Sequence, residues 1–231
     1  MTSTVPASTA AEPLPARHHR RWAELVLLFA VLPGALSLLP RWWVLPGIVT
    51  GGAVCLALLL SDPTFPRRSL LDAQAARRGL ARVLLRTVAA WTAILLFALV
   101  TGGPEGLFVL PRSRPGLWLT IVLLYPLLSV YPQEIMFRTF FFHRYSQLFR
   151  RPATMVVANA VLFGWAHVIV HNITAMLLTT IGGVLFAATY LRWRSTLLVA
   201  IEHALYGDFV FTVGIGGMFV TGVRVLSTVM P

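Results

Sequence analysis

Three apolar stretches of this chain carry ionisable or amide side chains. The first, YPQEIMFRTFFFHRYSQLF (131–149), directly follows fourteen almost wholly apolar residues, 117–130. The other two are FGWAHVIVHN and IEHALYGDFVF. Ionisable side chains inside a membrane span are costly and usually face the bundle interior, so these are candidates for function. The candidates are Gln133, Glu134 and Arg138 in the first stretch, His167 and His171 in the second, and Glu202, His203, Tyr206 and Asp208 in the third.

A carboxylate, two imidazoles and a guanidinium suit amide hydrolysis. That reaction needs a base for water, donors for the developing oxyanion and an acid for the leaving amine. None of the candidates is a serine or a cysteine, so we expect activated water as the nucleophile, with or without a metal. At about 1.5 Å rise per residue, Glu134, His167 and His203 lie at similar depths, about 15, 21 and 12 Å from the expected cytoplasmic helix ends. Three helices could therefore bring them together.

Each cluster also has a purely structural interpretation. Glu134 and Arg138, four residues apart, share a helix face and could be an ion pair. His167 and His171 could be interhelical hydrogen-bonding groups, and without a metalloprotease glutamate their spacing is a weak zinc signal. The aromatic run 140–142 resembles an interfacial anchor. Only the occurrence of the clusters on three spans at matching depth favours a catalytic site.

The composition indicates a polytopic, all-α membrane helix bundle. Of the 231 residues, 57% are hydrophobic and 12% charged, and a soluble domain would have about twice that charged fraction. We expect residues 1–16 to form a disordered cytoplasmic tail, and 17–231 to form one transmembrane domain with its motif-bearing core at about 115–215. Eight spans are predicted: 22–39, 42–61, 83–101, 117–143, 153–171, 173–191, 195–212 and 214–230.

The charges predict the orientation. All nineteen basic residues are arginines, which gather between the apolar runs rather than in a groove-like patch, so we expect membrane lipids and no nucleic acid as partners. With the N-terminus inside, fifteen arginines fall on the cytoplasmic side and three on the other, which predicts a multi-pass cell-membrane protein with both termini cytoplasmic. Arg224 lies within the last predicted span. The single cysteine, Cys55, permits no internal disulfide.

The clusters resemble the motifs of the CPBP intramembrane proteases, which include the CAAX prenyl endoproteases and the bacterial ABI proteins. The first motif, Glu-Glu-x-x-x-Arg, appears as Gln133-Glu134 followed by Arg138. The second, Phe-x-x-x-His, matches Phe163 to His167. The third, a histidine with a nearby Asn or Asp, resembles His203 with Asp208, which stands one place later than is usual. The resemblance covers roughly residues 115–215.

The resemblance implies an intramembrane endopeptidase in which a glutamate and a histidine activate water. It implies that Glu134 and His167 serve the water, Arg138 supports the site, and His203 with Asp208 stabilises the oxyanion. A peptide or membrane protein would be the substrate. Many members are called metalloendopeptidases, and His167 and His203 would be ligands if zinc were bound; the cofactor is thus zinc or none. Gln133 replaces the leading glutamate and can orient water but cannot accept its proton.

The sequence also allows two other functions. The chain could be a catalytically silent relative that acts as a membrane binding, immunity or scaffold protein, with Gln133 as the sign of lost activity. It could also be a small proton-coupled transporter that uses the buried charges as a relay. Loss of cleavage after changes at His167 or His203 would distinguish the peptidase from both.

Overall fold

The computed structural model describes residues 14–219, and over that range the chain is helical, without strands. The predicted all-α bundle is confirmed. The helices are α1 (Leu14–Val26, continued by a π-helical Leu27–Val31 and Leu32–Leu36), α2 (Val44–Ser61), α3 (Ala73–Gly102), α4 (Val109–Ser113), α5 (Pro115–Arg144), α6 (Pro152–Ala166, continued by 3₁₀-helical His167–Val170), α7 (Ile173–Trp193) and α8 (Thr196–Val213). Shorter 3₁₀ helices occupy Arg41–Trp43, Arg67–Leu70, Pro104–Gly106, Ser146–Leu148 and Gly216–Met218.

Six helices in the described range are long and apolar enough to cross a membrane. They correspond to the second to seventh predicted spans. The first predicted span is helical within α1 but, with charged residues at its start, is not among the six. The predicted eighth span, 214–230, lies mostly outside the described residues, as do Arg224 and positions 1–13 of the predicted tail.

Helix α3 begins ten residues before the predicted third span. Its first turn is capped by Asp72, whose carboxylate accepts a 2.8 Å hydrogen bond from the Ala75 N–H. With thirty residues it is about 45 Å long, more than the roughly 30 Å hydrocarbon core. The arginine-bearing segment and the membrane span are therefore one continuous helix.

The turns around α7 are set by local side-chain chemistry. Asn172 and Ser195 cap α7 and α8 by accepting hydrogen bonds from the Ala175 and Leu198 N–H groups. At Gly164, α6 and α7 approach closely, because a Cβ there would lie 2.8 Å from the Met176 carbonyl oxygen. This tight antiparallel pair holds the second histidine-bearing stretch against the bundle.

The core is aromatic, and this corrects one expectation. Phe140, Phe141 and Phe142 are at most 2% exposed, and Tyr145 is fully buried. They are core residues, not interfacial anchors, because α1 covers them: the Phe29 ring lies edge-on to Phe141 at 5.3 Å between centroids. The aromatic run packs the end of α5 inside the bundle.

A partly buried ion pair joins α3 to α8. The Arg86 guanidinium lies 2.6 Å from a carboxylate oxygen of the fully buried Glu202, which also accepts hydrogen bonds from Thr189 and Tyr206. Arg86 is thus partly buried within α3, and Arg138 is fully buried. Removing both from the cytoplasmic count leaves thirteen arginines against three, so the predicted orientation keeps its basis.

Candidate active site

The middle of α5 departs from regular α-helix where the first motif lies. Two stretches, Pro126–Val130 and Ile135–Phe140, are π-helical, and they flank a short α-helical segment, Tyr131–Glu134. Such widened turns occur frequently at functional sites, often beside proline. They turn Glu134 and Arg138 into the bundle, where both side chains are fully buried.

Glu134 and His203 form the central contact. The His203 Nδ1 lies 2.7 Å from the Glu134 Oε1, joining α5 to α8. A carboxylate only accepts, so Nδ1 carries the proton and Nε2 points to the other side of the ring. The ring stacks on Phe186, with centroids 4.7 Å apart and planes inclined by 22°. The imidazole is thus fixed in both position and orientation.

Arg138 supplies the charge opposite Glu134. Its Nε lies 3.3 Å from Glu134 Oε2, and its guanidinium stacks over the Phe163 ring at 4.2 Å and lies 5.3 Å from the Phe186 ring. Within the described part of the chain, none of its three nitrogens makes a well-aligned hydrogen bond. The buried cation is therefore balanced by one carboxylate and by aromatic faces.

His167 approaches the same aromatic ring from α6. Its Nδ1 donates a 2.8 Å hydrogen bond to the Phe163 carbonyl oxygen, which leaves Nε2 as the basic nitrogen. The rings of His167 and His203 lie 5.0 and 5.6 Å from the Phe163 centroid. His171 does not share this face, because the helix tightens at His167 and ends at a left-handed turn where His171 has φ 53° and is exposed.

The two remaining sequence candidates point elsewhere. Gln133 is 8% exposed and its amide donates a 2.8 Å hydrogen bond to Ser129 Oγ, one turn back on α5. Asp208, five residues after His203, is turned about 140° around α8 from it. Its Oδ1 is buried without a partner among the described residues. The structure thus brings Glu134, Arg138, His167 and His203 around Phe163, without Gln133 or Asp208 joining their hydrogen bonds.

Sequence reasoning missed two polar groups beside this cluster. The Tyr125 hydroxyl lies 3.3 Å from His203 Nε2, although Tyr125 belongs to an apolar run and gave no signal beyond preceding a proline. The fully buried Asn159 donates its amide proton to the Phe137 carbonyl on the π-helical turn of α5. A lone asparagine within an apolar span was a signal that could have found this second group.

The donor set does not fit a zinc ion as arranged. No three His, Cys, Asp or Glu side chains within residues 14–219 are grouped to hold a metal. The Nδ1 atoms of His167 and His203 are engaged by a carbonyl and a carboxylate, and Glu134 uses its oxygens for His203 and Arg138.

Residues 114–207 match the model of the Rce1-like family, described as type II CAAX prenyl endopeptidase Rce1-like. The match includes the parts of α5, α6 and α8 that carry the four clustered side chains, and it ends at Gly207, one residue before Asp208. The match covers 94 of the 231 residues, and over that segment the chain is similar to the CAAX protease family. No curated protein and no solved structure matches the chain.

The likeness to the Rce1-like family over residues 114–207 fits the helical architecture. The six apolar helices together with the match point to a multi-pass membrane protein. The matched segment contains Glu134, Arg138, His167 and His203 together with Gln133.

Proposed function

We propose that this chain is an intramembrane endopeptidase that hydrolyses a peptide bond with water activated at the Glu134, His167 and His203 cluster. The observation that carries the proposal is the 2.7 Å contact between Glu134 and His203, two buried motif residues from different helices. A buried carboxylate and imidazole in direct contact form a pair that can organise proton transfer and charge.

His167 is the proposed base. Its Nδ1 proton is held by the Phe163 carbonyl, so Nε2 accepts a proton from water as the water oxygen attacks the scissile carbonyl carbon. The same nitrogen then returns that proton to the leaving amine as the C–N bond breaks. The products are a carboxylic acid and an amine, and His167 regains its starting form.

Glu134 and His203 serve the carbonyl side of the reaction. The carboxylate fixes His203 through Nδ1, and the imidazole supports the oxygen on which negative charge develops through the hydrogen bond made by Nε2. Arg138 offsets the charge of Glu134 inside the bundle, where an isolated carboxylate would be costly. These four side chains are the proposed catalytic groups. The proposed location is the cell membrane, with both chain termini on its cytoplasmic side.

Purified protein in liposomes tests the proposal with fluorescence-quenched peptides, each offered with and without a prenyl group on a cysteine near its C-terminus. We expect cleavage by the wild type and its loss in His167→Ala and His203→Ala. The matched control is His143→Ala, because His143 lies on α5 but pairs with Asp62 away from the cluster. Equal activity in all four proteins would refute the proposed site.

Gln133 favours a second candidate, a silent relative that binds a membrane partner. The family's leading glutamate is absent, and the amide that replaces it is bonded to Ser129 within its own helix. A silent protein would cleave no peptide and would keep its cellular role in His167→Ala and His203→Ala. Comparing those variants with wild type in cells that depend on the protein separates the two candidates.

A further inference from the structure

The face of α8 that carries His203 lacks a side chain one turn later. Residue 207, four positions on, is glycine, and a Cβ there would lie 2.5 Å from both the Tyr125 hydroxyl oxygen and a carbon of its ring. Tyr125 therefore occupies the volume that a side chain at position 207 would fill. The absence of a side chain at Gly207 is what allows a phenol from α5 to reach His203.

The phenol extends the central contact by one group. Glu134 Oε1 meets His203 Nδ1 at 2.7 Å, and His203 Nε2 meets the Tyr125 hydroxyl at 3.3 Å. The two rings are close to perpendicular, at 84°, so the hydroxyl approaches the edge of the imidazole where Nε2 lies. Phe211 steadies the phenol edge-on at 5.4 Å. A carboxylate, an imidazole and a hydroxyl thus stand in line.

We infer that Tyr125 is a catalytic residue whose hydroxyl donates a hydrogen bond to the carbonyl oxygen of the scissile bond. The inference rests on the proposed function. When His203 Nε2–H donates to the phenol oxygen, the hydroxyl proton is left to point at the substrate. Glu134 stabilises the protonated imidazole in that arrangement. Successive hydrogen bonds of this kind polarise one another, which strengthens the last donor.

The phenol keeps its proton throughout. The water oxygen forms the new bond to the carbonyl carbon, and His167 takes and returns the water proton. The Tyr125 hydroxyl only donates a hydrogen bond, which strengthens as negative charge develops on the carbonyl oxygen. Such a contact is stronger in the transition state than in the ground state, so it acts on kcat more than on KM.

Tyr125→Phe removes the hydroxyl and keeps the ring that contacts Phe211. Removing one oxyanion donor typically costs about 10²–10³ in kcat, so we expect about a 100-fold fall in kcat with KM nearly unchanged. The matched control is Tyr131→Phe, on the same helix, whose hydroxyl donates to the Leu70 carbonyl outside the cluster. Its kcat should stay close to wild type.

A second variant separates chemistry from packing. Tyr125→Ala combined with Gly207→Asn removes the phenol and places an amide donor on the same face as His203. The kcat of the double variant should be at least tenfold higher than that of Tyr125→Ala alone, since an asparagine can also donate to an oxyanion. Recovery would not follow if the phenol only filled space.

The outcomes distinguish this inference from the proposed function. If wild type cleaves, His203→Ala is inactive and Tyr125→Phe keeps its kcat, then the peptidase stands and the role of Tyr125 is wrong. Equal losses in Tyr125→Phe and Tyr131→Phe, or no recovery in the double variant, also overturn it. If neither wild type nor Gln133→Glu cleaves a peptide, both fail. Should Tyr125→Phe not fold, the double variant decides alone.

Discussion

Replacing Glu134 by glutamine tests whether the buried carboxylate is both a structural charge and part of the chemistry. The substitution keeps the shape of the side chain and removes its negative charge. Arg138, which is fully buried, then loses its nearest counter-charge and retains the faces of Phe163 and Phe186. The free energy of unfolding and the peptidase rate should therefore both fall.

The magnitude follows from what each group keeps. Breaking a buried pair by removing one partner typically costs about 3–5 kcal/mol, and aromatic contacts of a desolvated cation offset about 1–2 kcal/mol of that. We expect Glu134→Gln to lower the free energy of unfolding by about 2–4 kcal/mol. Arg138→Met should cost less, about 1–2 kcal/mol, because Glu134 keeps its hydrogen bond to His203.

The double variant Glu134→Gln/Arg138→Met removes both charges and should be more stable than Glu134→Gln alone. The interaction energy of the cycle should be about 2 kcal/mol. The assay is reversible unfolding in mixed micelles, with peptide cleavage measured on the same samples. Cleavage should stay at least 100-fold below wild type in both proteins that carry Glu134→Gln. Additive stabilities, or full activity in Glu134→Gln, would refute the reasoning.

Four further outcomes are expected. Gln133→Glu should raise kcat by about 10²–10⁴-fold if the missing second carboxylate limits the rate, and an unchanged kcat in a steady-state assay would contradict this. Glu202→Gln should lower the free energy of unfolding by about 1–3 kcal/mol with kcat nearly unchanged, because Arg86 keeps its hydrogen bond to Thr189 but loses its counter-charge. The Thr64 hydroxyl and His143 hold the pKa of the Asp62 carboxyl below its usual range, so this carboxyl stays ionised in the folded state as pH falls. The Tm difference between wild type and Asp62→Asn should therefore persist from pH 7 to about pH 4. Its disappearance by pH 5 would refute the pairing. Elemental analysis should find less than one zinc per chain, and stoichiometric zinc would reassign the two histidines of the cluster as ligands.

The positions of the membrane helices could be predicted from the sequence, because a long apolar run in lipid has few alternatives to a helix. The approach of three ionisable groups on three helices could also be predicted, since each was an exception to its apolar surroundings. What it missed depends on shape. The π-helical turns of α5 and the 3₁₀ turn after Ala166 change which side chains share a face, and spacing rules for a regular helix do not register them.

Tyr125 illustrates the same limit. A tyrosine in an apolar run is unremarkable by composition, and its place beside His203 depends on a glycine eighty-two positions later in the chain. Likewise, Arg86 belonged by composition to a basic loop, and only its partner Glu202 in α8 shows it to be an internal ion pair. Contacts between helices far apart in sequence decide both cases.

The π-helical turn Ile135–Phe140 makes the spacing of the cluster sensitive to chain length. A wide turn of this kind holds one residue more than a regular turn, so a single-residue deletion within it could be absorbed by reverting to α-helix. The span would still cross the membrane, and because the residue lost is the extra one, the phenylalanines after the turn would keep their place in the core. A deletion between Glu134 and Arg138 would shorten their spacing from four residues to three. Loss of one codon here would thus leave an inserted protein with its aromatic core intact and its ion pair displaced, whereas the same loss in the exposed Pro104–Gly106 segment would leave the cluster unchanged.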